Sequence, residues 1–215
     1  MSRADFALGD KVRPVPLVEI DYGDRVKAGP FGVSVAVLDW NGLKAGPVLG
    51  IEGGRRESAD PHLDGLGAIS TSVTAGAFVS YRVGRFDIYG TVRQTLNNSG
   101  NGLDGLVQFN IRQPLIRGKL YLIAGPEVEF ANAEHEQAWF GVTPSQSFQS
   151  GLPVYTAGGG VSTVGVHATL TYRASEHVSW RAFTSLKDLT GQAADSPIVE
   201  RRTEYVFGLG AAYHF

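Results

Sequence analysis

The chain has 215 residues, 43% of them hydrophobic, with 19 Lys and Arg against 21 Asp and Glu and no Cys. This excludes disulfides and thiolate metal sites, and leaves no basic excess of the kind that binds nucleic acid. No run of roughly 18 apolar residues offers a transmembrane helix, and the mean hydropathy of -0.05 resembles that of a soluble protein, which does not exclude a membrane barrel, because alternating faces cancel in the average.

In chain order, a first strand is predicted over 12–20, with Val12, Pro14, Pro16, Val18 and Ile20 on one face and Arg13 and Glu19 on the other. Its prolines lack a ladder donor and suit an edge or a closing seam. Asp21-Tyr22-Gly23-Asp24 reads as a turn, 31–37 as a strand, Asn41-Gly42 as a hairpin signal and 43–51 as the next strand. A polar loop over 53–67 follows. Strands are then predicted over 69–82 and 86–93, separated by Val83-Gly84. The polar loop 97–102 leads to strands over 107–112 and 120–130, and residues 132–160 form the longest irregular region. Two more strands occupy 164–173 and 178–187. A loop over 188–202 leads to the terminal strand 204–215, where Tyr205, Phe207, Leu209, Ala211, Tyr213 and Phe215 alternate with small or polar residues.

Counted backwards from the C-terminus, the connections alternate long and short, with only the first turn breaking the rhythm. Short turns on one side and long loops on the other are a property of outer-membrane barrels, and place both termini on the periplasmic side. The expected fold is therefore all-β: one domain over 1–215, an antiparallel transmembrane β-barrel of about ten strands, or twelve as the alternative. In hydrocarbon each unpaired backbone group costs several kcal/mol, so the terminal strand must close against the first. A barrel this small holds a filled interior rather than a wide channel. Periodicity points Arg82, Arg93, Arg112, Arg173, Arg181, Glu127, Glu129 and Glu204 into it, as a candidate salt-bridged lumen network.

Trp139-Phe140-Gly141-Val142-Thr143-Pro144-Ser145-Gln146, Ser150-Gly151-Leu152-Pro153-Val154-Tyr155, Ala194-Asp195-Ser196-Pro197-Ile198-Val199, Pro14-Val15-Pro16-Leu17, Ile20-Asp21-Tyr22, Gly46-Pro47-Val48-Leu49-Gly50 and the ending from Gly208-Leu209-Gly210 to Tyr213-His214-Phe215 resemble stretches of the MipA/OmpV family of outer-membrane proteins, named for an interaction with a lytic murein transglycosylase. The resemblance runs from about Asp10 onward. It implies a bacterial outer-membrane location and a non-enzymatic scaffold joining a murein transglycosylase to a murein synthase; other members of the family are regarded as adhesins or porin-like proteins. It also implies a glycine-rich strand ahead of Pro14, where residues 1–9 leave little room. No apolar export core follows Met1-Ser2-Arg3, as expected of a mature form or a chain without its export segment. By resemblance to other outer-membrane proteins, Tyr213 and Phe215 look like the signal read by the barrel assembly machinery, with outer-membrane lipid as the outward partner.

Thr143-Pro144-Ser145-Gln146 has the composition of a capping box and predicts a short helical turn in the long external loop. Trp139, Phe140, Thr143, Pro144 and Tyr155 form a candidate loop interaction motif; equally, its aromatics fold the loop onto the barrel rim. Glu134-His135-Glu136 lacks the further ligands a metal site needs, so no metal or cofactor is expected. His167 and His214 point inward, where Glu204 or Ser185 offers a hydrolase-like pairing. A hydrogen-bonded lumen network is the stronger reading.

Overall fold

The computed structural model describes residues 16–23, 25–29, 32–96 and 102–215. The sheet contains β1 (Pro16–Tyr22), β2 (Val26–Gly29), β3 (Gly32–Val35), β4 (Leu38–Trp40), β5 (Leu43–Glu52), β6 (Ser72–Val83), β7 (Phe86–Thr95), β8 (Leu103–Ile116), β9 (Leu120–Ala131), β10 (Gly160–Arg173), β11 (Val178–Leu189) and β12 (Thr203–His214). Neighbours pair in sequence from β5 to β12, β12 pairs with β1, and β3 returns to β5. The sheet is thus a closed barrel.

Three features of the seam differ from the sequence expectation. Asp21 and Tyr22 continue β1 rather than turning, and β2 is an additional strand that its four residues were too short to announce. The expected strand over 31–37 is divided: β3 pairs with Val48–Gly50 and β4 with Leu43–Ala45 on the same edge of β5. Between them the backbone bulges, burying Ala36 and exposing Val37, and the bulge comes so close to β5 that a Cβ at Gly46 would collide with the Val35 carbonyl. Among the described residues eleven strands therefore close the ring, with β4 as an extra piece. An odd ring cannot alternate throughout, and β1 accordingly runs parallel to β12, in register from Pro16↔Leu209 to Asp21↔His214. The described chain thus enters β1 from the long-loop side. Residues 12–15 of the expected first strand, Phe31, and 97–101 of the expected polar loop lie outside the described residues.

Packing is inverted relative to a water-soluble protein. Glu52, Ser72, Thr74, Asp87, Asp104, Asn110, Glu127 and Ser179 are buried, while Ile51, Val73, Tyr81, Phe86, Ile88, Phe109, Val166, Tyr172, Trp180, Tyr205, Phe207 and Leu209 are exposed. An apolar belt of this extent is untenable in water and correct against lipid.

At one end the turns are tight, as at Gly84 and Gly118, both with positive φ. At the other, three long loops fold together. Two 3-10 turns, Glu57–Ala59 and Pro61–Leu63, shape the first; α1 (Ala133–Phe140) and α2 (Pro144–Ser150) form most of the second; α3 (Gly191–Ala194) starts the third. Helix α2 begins with the capping box expected at Thr143, whereas α1 went unforeseen in a region read as irregular. Leu63, Leu66, Trp139, Phe140, Val142, Ala157, Ala193 and Ile198 build a small apolar core between the loops. This core caps the barrel.

Candidate functional site

Below the cap, inward positions of β1, β2, β5 and β7 to β12 surround a cavity of about 720 Å³. Alternation explains why polar side chains gather there: every outward position is given to lipid, so every charge on a strand must point in. A charge removed from water must then find a partner. Glu127 is the hub. Its carboxylate accepts hydrogen bonds from Gln108 Nε2 at 2.9 Å and Ser185 Oγ at 2.6 Å, with Lys187 Nζ 3.9 Å away. Lys187 also donates to Glu129 at 2.5 Å, and Thr163 Oγ1 donates to the other Glu129 oxygen at 3.0 Å.

From this hub the network extends both ways. His167 Nε2 meets Asn110 Oδ1 at 2.7 Å, and Asn110 Nδ2 donates to Asp87 at 2.9 Å, which faces Arg112 at 3.8 Å. Arg93 bonds Asp104 at 2.5 Å on the cap side. On the seam side Arg181 pairs with Glu19 and reaches Asp21 at 3.4 Å. Arg173 stands 5.9 Å from the Tyr121 ring centroid, Glu204 lines the cavity, and Arg82 is exposed beside the short turns.

The loop residues occupy a different setting. Trp139 and Phe140 are each only 2% exposed, so they are cap core rather than a surface patch. Arg55 Nη1 donates to the Trp139 carbonyl at 2.8 Å, and Ser196 Oγ to the Phe140 carbonyl at 2.6 Å. Burial there pushes the Arg55 guanidinium down to about 10, partly opposed by Glu57. It stays charged at neutral pH. Thr143 caps α2 at 3.3 Å, Pro144 opens it, and Gln146 continues to the Leu66 carbonyl at 2.6 Å. Tyr155 donates to the Gln192 carbonyl at 2.6 Å; burial, with Asp195 and Glu136 nearby, raises its phenol.

Two constellations arise from residues far apart in the chain. His135 of α1, fully buried, reaches down to Glu52 of β5 at 3.0 Å, and these two with Asp104 offer ligand atoms within 4.8 Å of one another. Its sequence neighbours Glu134 and Glu136 are not part of this group. The donors suit a cation, but Arg93 already neutralises Asp104, so the arrangement serves as a bolt between cap and barrel. At the seam, His214 Nε2 lies 3.0 Å from Ser179 Oγ and His214 Nδ1 lies 3.2 Å from Asp21 Oδ2. The partners suggested by periodicity are not those found: Ser185 bonds Glu127 instead, and His167 meets Asn110. Strand pairing between Asp21 and His214 carried no sequence signal.

At the end of β12, Tyr213 and Phe215 form a T-shaped ring pair at 4.6 Å, with Tyr22 6.2 Å from Phe215 across the seam. The Phe215 amide donates to the Asp21 carbonyl at 3.0 Å.

The family model described as "MltA-interacting protein MipA" matches residues 2–215. The chain belongs to the MipA family. It is similar to the "Putative outer membrane protein YiaT" of Escherichia coli strain K12 and of Escherichia coli O157:H7, each 27% identical over 132 residues, or 59% of this chain and 52% of the relative. The chain spans about half the length of the curated relatives it matches. Family, relatives and inverted barrel agree on an outer-membrane β-barrel.

Proposed function

We propose that this barrel is a membrane-anchored docking platform whose short-turn rim faces the periplasm and binds acidic surfaces of murein-remodelling enzymes, a lytic transglycosylase and a murein synthase. The observation that carries the reading is the charge of that rim. Arg82 and Arg85 flank the β6–β7 turn, Arg117 and Lys119 the β8–β9 turn, and Arg173 ends β10, all exposed. The turns are laced together, since the Arg173 amide donates to the Lys119 carbonyl at 2.8 Å and the Arg112 amide to the Arg85 carbonyl at 2.7 Å. Clustered exposed cations steer an acidic partner and favour its bound state in a salt-dependent way. The description of the family by an interaction supports binding to a murein enzyme. The capped, ion-paired lumen supports anchoring over transport.

Affinity capture from cross-linked envelopes tests it. Reversing Arg85, Arg117 and Lys119 to Glu should lower recovery of transglycosylase and synthase at least about tenfold at moderate salt; undiminished recovery would sink the reading. An adhesive or porin-like role has one observation in its favour, the 92% exposed Phe148 on α2 at the loop end. Steady single-channel conductance, or loss of adhesion in Phe148→Ser, would favour it. The aromatic ending, Tyr213 and Phe215, is proposed as the signal for the barrel assembly machinery.

A further inference from the structure

From the seam geometry we infer that Ser179, His214 and Asp21 form a hydrolytic triad acting on small carboxylic esters that enter the lumen. A serine becomes a nucleophile when an imidazole accepts its proton and a carboxylate holds that imidazole in the right tautomer. Here Asp21 Oδ2 lies 3.2 Å from His214 Nδ1, placed to hold the imidazole with its proton on that nitrogen, which leaves Nε2 to accept from Ser179 Oγ at 3.0 Å. All three side chains are anchored on strands rather than loops: Asp21 is paired with His214 across β1 and β12, and Ser179 faces Ala212, the preceding inward position of β12. Only the parallel seam brings Asp21 to this place.

The orientation is reinforced from outside the triad. Arg181 Nη2 lies 3.4 Å from the same Asp21 oxygen, and His177 Nδ1 meets the His214 carbonyl at 3.0 Å. Ser179 and His214 both line the cavity, as do Gly210 and Arg181. Gly210 carries no side chain to block approach. Arg181 follows Ser179 by two residues and shares its face, where Glu19 and Asp21 hold its guanidinium.

In the reaction, Ser179 Oγ bonds to the ester carbonyl carbon as its proton passes to His214 Nε2. The C–O bond to the alcohol then breaks and the alcohol leaves with that proton. Water next attacks the acyl-serine, giving one proton to His214, which returns it to Ser179 Oγ as the carboxylic acid departs. The cost to the fold is small, because each of these groups would need a partner in the lumen in any case.

The test uses the full chain in detergent, with p-nitrophenyl butyrate as substrate and a fluorophosphonate as covalent probe. The folded wild type should hydrolyse the ester and carry the label on Ser179, identified by mass spectrometry. Ser179→Ala should abolish labelling, and it and His214→Gln should each lower turnover by about 100-fold or more; Asp21→Asn should lower it with a shifted pH profile. Heat-modified migration verifies folding of each variant. Should Ser179→Ala fail to fold, Ser179→Cys keeps the volume and must lose the fluorophosphonate label. A folded wild type that neither labels nor hydrolyses, or a Ser179 variant as active as wild type, overturns the inference without touching the docking rim.

Discussion

The lumen and the cap are built from one chain by opposite rules. In the barrel, Glu127 is 4% exposed and Leu209 is 61% exposed; in the cap, Trp139 and Ile198 are buried and Arg56 and Glu134 are outside. The difference is the solvent. Along the strands the surroundings are hydrocarbon, so charges turn inward and pair. Past the ends of β5, β9 and β11 the surroundings are water, and the loops return to apolar-in packing. His135–Glu52 is the joint where the two rules meet, a cap residue obeying the lumen's need for a charged partner.

Glu127 offers the largest break in this contrast. Replacing it by Ala leaves Ser185 and Gln108 without their acceptor and Lys187 with Glu129 alone, and each buried donor left unsatisfied costs about 1–3 kcal/mol, so Glu127→Ala should lower the urea midpoint of the whole barrel. Glu127→Gln, which retains an acceptor, should recover part of that loss. Trp139→Ala should cost about 3 kcal/mol by emptying the cap core, with a different signature: protease cleavage within 132–159 while heat-modified migration of the barrel persists. Barrel and cap losing structure together would show that they are one cooperative unit.

On the lipid face, Leu209→Arg should cost about 2–4 kcal/mol near the bilayer midplane, measured as a lower yield of folded barrel in vesicles. Thr143→Ala, which removes the capping box, should cost about 1 kcal/mol and increase hydrogen exchange only in α2. Phe215→Ala is a test of a rate rather than a stability: membrane insertion in cells should fall while spontaneous refolding into detergent holds. Equal insertion would sink the proposed assembly signal.

Alternation made the long strands readable, because from β5 to β12 nearly every second residue carries the polarity of its face. The rim of the barrel was harder. In β2, Val26–Gly29 is four residues long, within reach of any turn composition. Asp21 looked like a turn residue beside Gly23, and its backbone pairings with His214 on one side and Lys27 on the other make it a strand residue. At Thr143 the helix was legible because a capping box is a local device; α1 was not, because Trp139 and Phe140 are helical on account of loops that come from 53–71 and 190–202. The lumen charges could be assigned a side but not a partner, since alternation says which way a residue points and nothing about its height around the ring.

By itself the sequence determined the class of solvent each residue meets, and with it an inside-out barrel with long loops at one end. That information is local and repeats every two residues. The tertiary structure alone decided the odd ring, its parallel seam and the close approach of Ser179, His214 and Asp21, because closure fixes register and stagger through pairings between strands separated by most of the chain.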